Sequence, residues 1–321
     1  MVASNRERKN ICNHQACRGA GAHGILAPRT QEPPGGGGGR SSWIGRRIER
    51  TPDKPSASHA GNGSLGLILT VRFSLEQFSA VLGVRDAAGK PHVLIGGQAV
   101  YFWAARYAKT EPALEQARPF TSADLDFHGG REDVLHLARQ LGLPHQFPPP
   151  VALTALAGVI PIKIGEANTN IEFVRQIAGL KSADIPALAI ERDFHGNQIR
   201  VLDPISLLCG KTNLAMKVDQ KQRRDADHLR ILVVCVRAFL RETLLGVTAG
   251  ELPARGWLGA VERVLKLAES TIGKQAARKL GVDWPEALPE KEILASEHPL
   301  IAQFRQKRLP QWREKQTPCA R

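Results

Sequence analysis

His92-Val93-Leu94-Ile95-Gly96-Gly97, followed after a helical interval by Thr121-Ser122-Ala123-Asp124-Leu125-Asp126-Phe127, is the stretch that decides the fold. Its first half is an apolar run of strand length ending in two glycines; its second is a strand in which acidic and apolar residues alternate. Strand side chains alternate faces, so Asp124 and Asp126 project together about 6.5–7 Å apart along the chain while Leu125 and Phe127 enter the core. Two carboxylates on one face repel each other, and a divalent cation relieves that repulsion. Mg²⁺ prefers hard oxygen ligands, takes one or two carboxylates and completes its shell with water and substrate phosphate. Two such ions, about 3.5–4 Å apart, can clamp the attacking and leaving oxygens of an in-line displacement at phosphorus. Gly96 and Gly97, without Cβ atoms, let the backbone approach a phosphate, with the N-terminus of the next helix behind them. The pattern suits a metal-bound nucleoside triphosphate (NTP) and points to nucleotidyl transfer.

Working outward, helical spacing of apolar residues predicts a helix over 73–82, with Ser74 placed to cap it. The strand at 92–95 leads through a tight Gly96-Gly97 turn into a helix over 98–108, and 109–119, with Pro112 and Pro119, reads as a loop. A strand at 125–127 and an amphipathic helix over 131–142 follow. After Pro148-Pro149-Pro150 come strands at 159–164, 170–174 and 199–202. From Pro204 onward the period is helical: 204–218, 224–245, 257–280 and 290–308. The fold class is therefore mixed α/β (α+β), a mixed sheet flanked by helices over 67–203 followed by an all-helical region over 204–321.

Transfer needs an attacking hydroxyl to be oriented and deprotonated, or a further ligand to a second metal. Glu172 can serve, since it faces opposite to Ile171 and Phe173 in its strand; the alternative is a solvent-facing glutamate on an edge strand. Glu166, Asp184 and Asp193 lie in less regular surroundings. Lys211 can reach a triphosphate as a point charge or pair with Asp225 or Asp227 on the next helix. Asp225 and His228 share a helical face and could bind metal, although a packed histidine is the commoner outcome. Tyr101, Phe102 and Trp103 read mostly as core, with one free to stack on a base. Val261, Val264, Leu265, Leu267 and Ala268 form a helix-packing stripe.

These residues resemble the nucleotidyltransferase superfamily that includes DNA polymerase beta. Leu94 to Val100 together with Arg118-Pro119-Phe120-Thr121-Ser122-Ala123-Asp124-Leu125-Asp126-Phe127 looks more closely like the AbiEii/AbiGii-type toxin nucleotidyltransferases. The likeness extends to Asp203-Pro204-Ile205-Ser206-Leu207-Leu208-Cys209-Gly210-Lys211 and to Arg223-Arg224-Asp225-Ala226-Asp227-His228-Leu229, covering roughly residues 70–240. The resemblance implies Asp124 and Asp126 as metal ligands and Lys211 on the nucleotide phosphates. It further implies a toxin or phage-defence role, with tRNA or another macromolecule as acceptor and an antitoxin as partner. The chain departs from that pattern in two places. The 26 residues between Gly97 and Asp124 exceed the family spacing, so 109–119 reads as an insertion, and the second glycine replaces a serine common among relatives.

Composition bounds the rest. The net charge of +13 favours polyanionic partners. Residues 1–71 hold ten Lys and Arg against four Asp and Glu, nearly half the excess. The segment 1–66, rich in Gly, Pro, Ser and Arg, reads as a disordered basic arm, or more plainly as a tail without function or an over-extended reading frame. No apolar run reaches membrane-spanning or signal-peptide length, so cytoplasmic residence is the default. Five cysteines without a CxxC pair fit reduced thiols, and Cys12, His14, Cys17 and His23 match no common zinc spacing. Three functions follow: an Mg²⁺-dependent nucleotidyltransferase using Asp124, Asp126 and Glu172; the same chemistry on a small hydroxylated compound, as in antibiotic nucleotidyltransferases; and a nucleotide or nucleic-acid binding module without turnover.

Overall fold

Six strands build one mixed sheet in a computed structural model that describes residues 71–221 and 223–316. The basic arm at 1–66 and the Cys12, His14, Cys17 and His23 group lie outside the described residues. The strands are β1 (Val93–Ile95), β2 (Leu125–His128), β3 (Leu156–Ile164), β4 (Ala167–Val174), β5 (Ala189–Phe194) and β6 (Asn197–Leu202), in the order β3-β4-β2-β1-β6-β5. β1 runs antiparallel to β2 and parallel to β6, β2 runs parallel to β4, and the outer pairs β3/β4 and β5/β6 are hairpins. Leu94, Leu125, Ile171, Phe173 and Val201 are fully buried, as the apolar half of the strand alternation requires.

The helices are α1 (Ser79–Leu82), α2 (Gly96–Tyr107), α3 (Arg131–Leu141), α4 (Ile185–Leu188), α5 (Pro204–Lys217), α6 (Asp225–Thr248), α7 (Ala254–Glu269), α8 (Thr271–Leu280), α9 (Glu290–Ala295), α10 (Pro299–Gln303) and α11 (Leu309–Gln316). Trp103 fastens α2 to both halves of the molecule: its indole donates to the Leu202 carbonyl on β6 at 2.9 Å, and its ring meets Phe239 of α6 edge-on. Asp203 starts α5 by accepting from the Ser206 amide at 2.8 Å. One hydrophobic core runs from the sheet through α2 and α6 into α7, where Val261, Val264, Leu265 and Ala268 are fully buried. No helix among the described residues is long and apolar enough to cross a membrane.

Several elements differ from their sequence-based expectation. The 73–82 helix is a 3-10 turn, Leu75–Phe78, running into the short α1, with the Ser74 amide donating to Gln77 Oε1 at 2.8 Å. The 109–119 loop contains a 3-10 turn, Pro112–Ala117, that buries Leu114 and ties Glu111 to Arg237 of α6 at 2.6 Å. The helix expected over 257–280 is two, because the Ser270 hydroxyl caps α8 through the Gly273 amide at 3.0 Å. The helix expected over 290–308 breaks into α9, α10 and a π turn, Phe304–Arg308, continuing into α11; Pro299 supplies no amide and opens α10. β5 is an addition. His195 and Gly196 both adopt positive φ, 51° and 81°, and form the two-residue turn of a tight hairpin from β5 into β6.

Candidate active site

Strand register assembles the site. Asp126 is the register partner of Ile95 at the end of β1 and of Glu172 on β4, so β2 carries it between the glycine turn and the third carboxylate. Register partners share a face, which puts Asp126 and Glu172 side by side although 45 residues separate them in sequence. β4 lies inside the sheet between β3 and β2, so Glu172 stands on an interior strand and the edge-strand alternative does not apply. Asp124 lies one residue before β2. Its approach segment is fixed from three sides: Phe73 and Ser122 exchange backbone hydrogen bonds at 2.8 and 2.9 Å, Arg72 donates to the Thr121 carbonyl at 2.6 Å, and the Thr169 hydroxyl donates to the Ala123 carbonyl at 2.5 Å.

The glycines bear directly on the Asp126 carboxylate. The two residues begin α2 themselves, where a turn ahead of a helix from Gln98 was expected. Gly96 sits at φ +67°, and a Cβ there would lie 1.8 Å from Asp126 Oδ2. The Asp126 carboxylate therefore rests against the Gly96 backbone, and the nearby Gly97 amide favours its charged form. A Cβ at Gly97 would strike the Ser122 hydroxyl.

The three acids are undercompensated. Burial pushes Asp126 up to about 6, Asp124 pushing it the same way and Lys211, the Gly97 amide and Arg223 only partly offsetting the rise. Glu172 rises to about 7 through burial and through Asp126 and Asp124, with Arg223 opposing. Asp124 is raised by burial against the nearby Arg72 charge. Carboxylates destabilised in this way are poised to accept either a proton or a cation. Among the described residues no group of three or more His, Cys, Asp or Glu side chains is placed to hold a metal ion. An Mg²⁺ ion held by one or two carboxylates and completed by water and phosphate needs no such set, and an all-oxygen donor group under mutual repulsion suits it.

Lys211 is accounted for differently. Its ammonium is buried and lies 2.9 Å from Asp225, which also accepts from Arg223 at 2.6 Å. Burial alone would raise Asp225, and these two cations hold it below the usual carboxylate range instead. Of the two roles open to Lys211, pairing with Asp225 is the one its contacts display, while its charge still reaches Asp126. Asp225 is thus committed to two cations. The His228 ring is buried edge-on to Tyr101 at 5.3 Å, both its nitrogens lacking a hydrogen-bond partner among the described residues. Burial, with Lys211 adding to it, pushes His228 down to about 3, so the ring is neutral.

Arg72 and Arg223 complete the electrostatics, and sequence reasoning missed both as site residues. Arg72 precedes the first element, and Arg223 sits in the segment leading into α6; neither position carries a periodic signal. The Arg-Arg-Asp stretch that supported the family likeness was the available clue to Arg223. No known protein family matches the chain. No curated protein matches it.

Proposed function

We propose that this chain is an Mg²⁺-dependent nucleotidyltransferase that moves a nucleoside monophosphate from an NTP to a hydroxyl acceptor. The observation that carries the reading is the β1-β2-β4 register, which sets Asp126 beside Glu172 and next to the end of β1 where the glycine turn begins, with Asp124 just ahead of β2. Asp124, Asp126 and Glu172 would hold the metal, which supplies neutralisation of phosphate charge and activation of the reacting oxygens when bound. Glu172, raised by burial and by Asp126 and Asp124 when no ion is bound, would alternatively orient or deprotonate the acceptor hydroxyl in place of binding the metal. The hydroxyl oxygen bonds to the α-phosphorus as the bond to the bridging oxygen breaks, and pyrophosphate leaves with the electron pair. Lys211, Arg223 and Arg72 bring positive charge to the site, so positioning and electrostatics supply the acceleration. A toxin-like enzyme acting on tRNA fits the resemblance, and the +13 charge supports a polyanionic acceptor.

The test is incubation of the full chain with Mg²⁺, each α-labelled NTP and total tRNA. Wild type is expected to label tRNA, with Asp124→Ala and Asp126→Ala lower by about 10²- to 10³-fold, the scale of losing one group that stabilises developing charge. Circular dichroism checks that both variants are folded. Equal signal from wild type and variants sinks the proposal.

A further inference from the structure

The chain between α3 and β3 builds a second concave surface, one that none of the three carboxylates lines. Gln146 and Val159 exchange backbone hydrogen bonds at 2.8 and 2.9 Å, which ties the start of this segment to β3. Phe147 packs against Gly158, where an added Cβ would meet its ring at 2.9 Å. The run Pro148-Pro149-Pro150 then fixes φ, and the Ala152 and Thr154 amides close turns on the Pro149 and Ala152 carbonyls at 2.9 and 3.0 Å. Arg131 at the start of α3 and Arg175 just past β4 complete the walls of a cavity of about 520 Å³.

Neither the charges nor the apolar rim of this cavity is matched among the described residues. The Arg131 guanidinium lies 3.9 Å from the Phe147 ring centre, and that of Arg175 donates to the Leu156 carbonyl at 2.8 Å. Both residues are exposed, and among the described residues neither forms an ion pair with a carboxylate. Asp133, two positions past Arg131, accepts from the Gly130 amide at 2.7 Å instead. A guanidinium holds its donors in a rigid fork, and one carbonyl or one ring face leaves most of them open. The same loop raises Val151 and Leu153 into solvent at 88% and 106% exposure, the highest values among the large apolar residues described. A lone exposed leucine is ordinary, but an apolar pair beside two uncompensated cations is a mixed patch of the kind that partners cover.

We propose that this cavity docks a protein segment carrying a carboxylate between apolar side chains, the acid held by Arg131 and Arg175 and its apolar neighbours covering Val151 and Leu153. The site stands independently of nucleotidyl transfer. Charge complementarity selects an anionic occupant, and arginines recognise carboxylates through planar, charge-assisted hydrogen bonds. The apolar pair selects a polypeptide over a small anion, which would leave both side chains in water. Nucleic acid is the poorer occupant: Phe147 is the one aromatic residue of the wall, and Arg131 already lies over its ring where a base would stack. The proline run and the turns after it hold the cavity preformed, which lowers the ordering cost of binding.

The experiment pans a random peptide library displayed on phage against the full chain, with counter-selection on the double variant Arg131→Gln, Leu153→Ser. Wild type should enrich sequences in which Asp or Glu is flanked by Leu, Ile, Val or Phe. The consensus peptide, made synthetically and measured by calorimetry, should bind Arg131→Gln and Arg175→Gln about 10-fold or more weakly, the scale of losing one hydrogen bond to a charged group. Leu153→Ser, at a fully exposed position, should weaken binding by about 3- to 10-fold. Thermal melts check that each variant is folded. Enrichment of sequences without acids, no enrichment over the double variant, or unchanged affinity in folded Arg131→Gln and Leu153→Ser overturns the proposal. So does an oligouridylate that binds wild type and is weakened by Arg131→Gln, which marks a nucleic-acid groove, or a dimer of the chain in sedimentation that Leu153→Ser disperses.

Discussion

Asp126, half-buried on β2, and Asp225, buried at the start of α6, both feel Lys211, and they have opposite electrostatic fates. Asp225 meets a lysine at 2.9 Å and an arginine at 2.6 Å, and its carboxyl is held down. Asp126 is pushed up to about 6 by burial and by Asp124, and the same two cations act on it without a direct ion pair. The same side chain is thus a finished structural contact at the start of α6 and an unbalanced charge on β2. Charge compensation inside the chain marks structure, and its absence marks a place where something outside the chain completes the balance.

The largest test of this contrast removes the compensated acid. Asp225→Ala leaves Lys211 buried without its carboxylate partner, and breaking a buried pair from one side costs about 3–5 kcal/mol. Urea denaturation should show a midpoint lower in proportion, and an unchanged midpoint would mean the pair is dispensable.

Asp126→Asn should act in the opposite direction. Because the folded-state values of Asp126 and Glu172 lie above their unfolded values, the folded chain binds more protons between about pH 4 and 7. Stability therefore falls as pH rises through that window, and the penalty is fully present above pH 7. The variant should be more stable than wild type by ~1–2 kcal/mol at pH 8, after allowance for partial solvent screening, with the gain vanishing below about pH 4. Thermal melts across pH measure this; a pH-independent difference would mean that charge is not its source.

A smaller effect follows from adding the cation. At ten times its Kd, Mg²⁺ should stabilise wild type by about 1.4 kcal/mol at pH 8. The shift should shrink at pH 5.5, where protons compete for Asp126 and Glu172, and disappear in Asp126→Asn. An equal shift in wild type and variant places the ion elsewhere.

Much of the candidate site's placement in the sheet was legible because its residues obey strand periodicity. The apolar run into Gly96-Gly97, the alternation around Asp126 and the flanking of Glu172 by Ile171 and Phe173 each announce a face. The partnership of β2 with β4 was not legible, since no local pattern states which distant strand pairs with which. β5 was hidden because Glu191, Arg192 and Asp193 interrupt its apolar pattern, and Arg192 is buried despite its charge. The helix break at Ser270 escaped notice because apolar spacing continues on both sides of it, and only the cap separates α7 from α8. Lys211 shows a further limit: sequence presented both its roles, and a partner on another helix distinguished them.

The register that sets Asp126 beside Glu172 also governs when the site can exist. β2 pairs with β4 only after α3 and β3 have been made, and the cations acting on Asp126 come from positions 211 and 223. These are contacts of high sequence separation, whose loop-closure entropy is met late in folding. A nascent chain that has emerged only through β2 holds its aspartates without Glu172 or Lys211, so site assembly and completion of the sheet are one event.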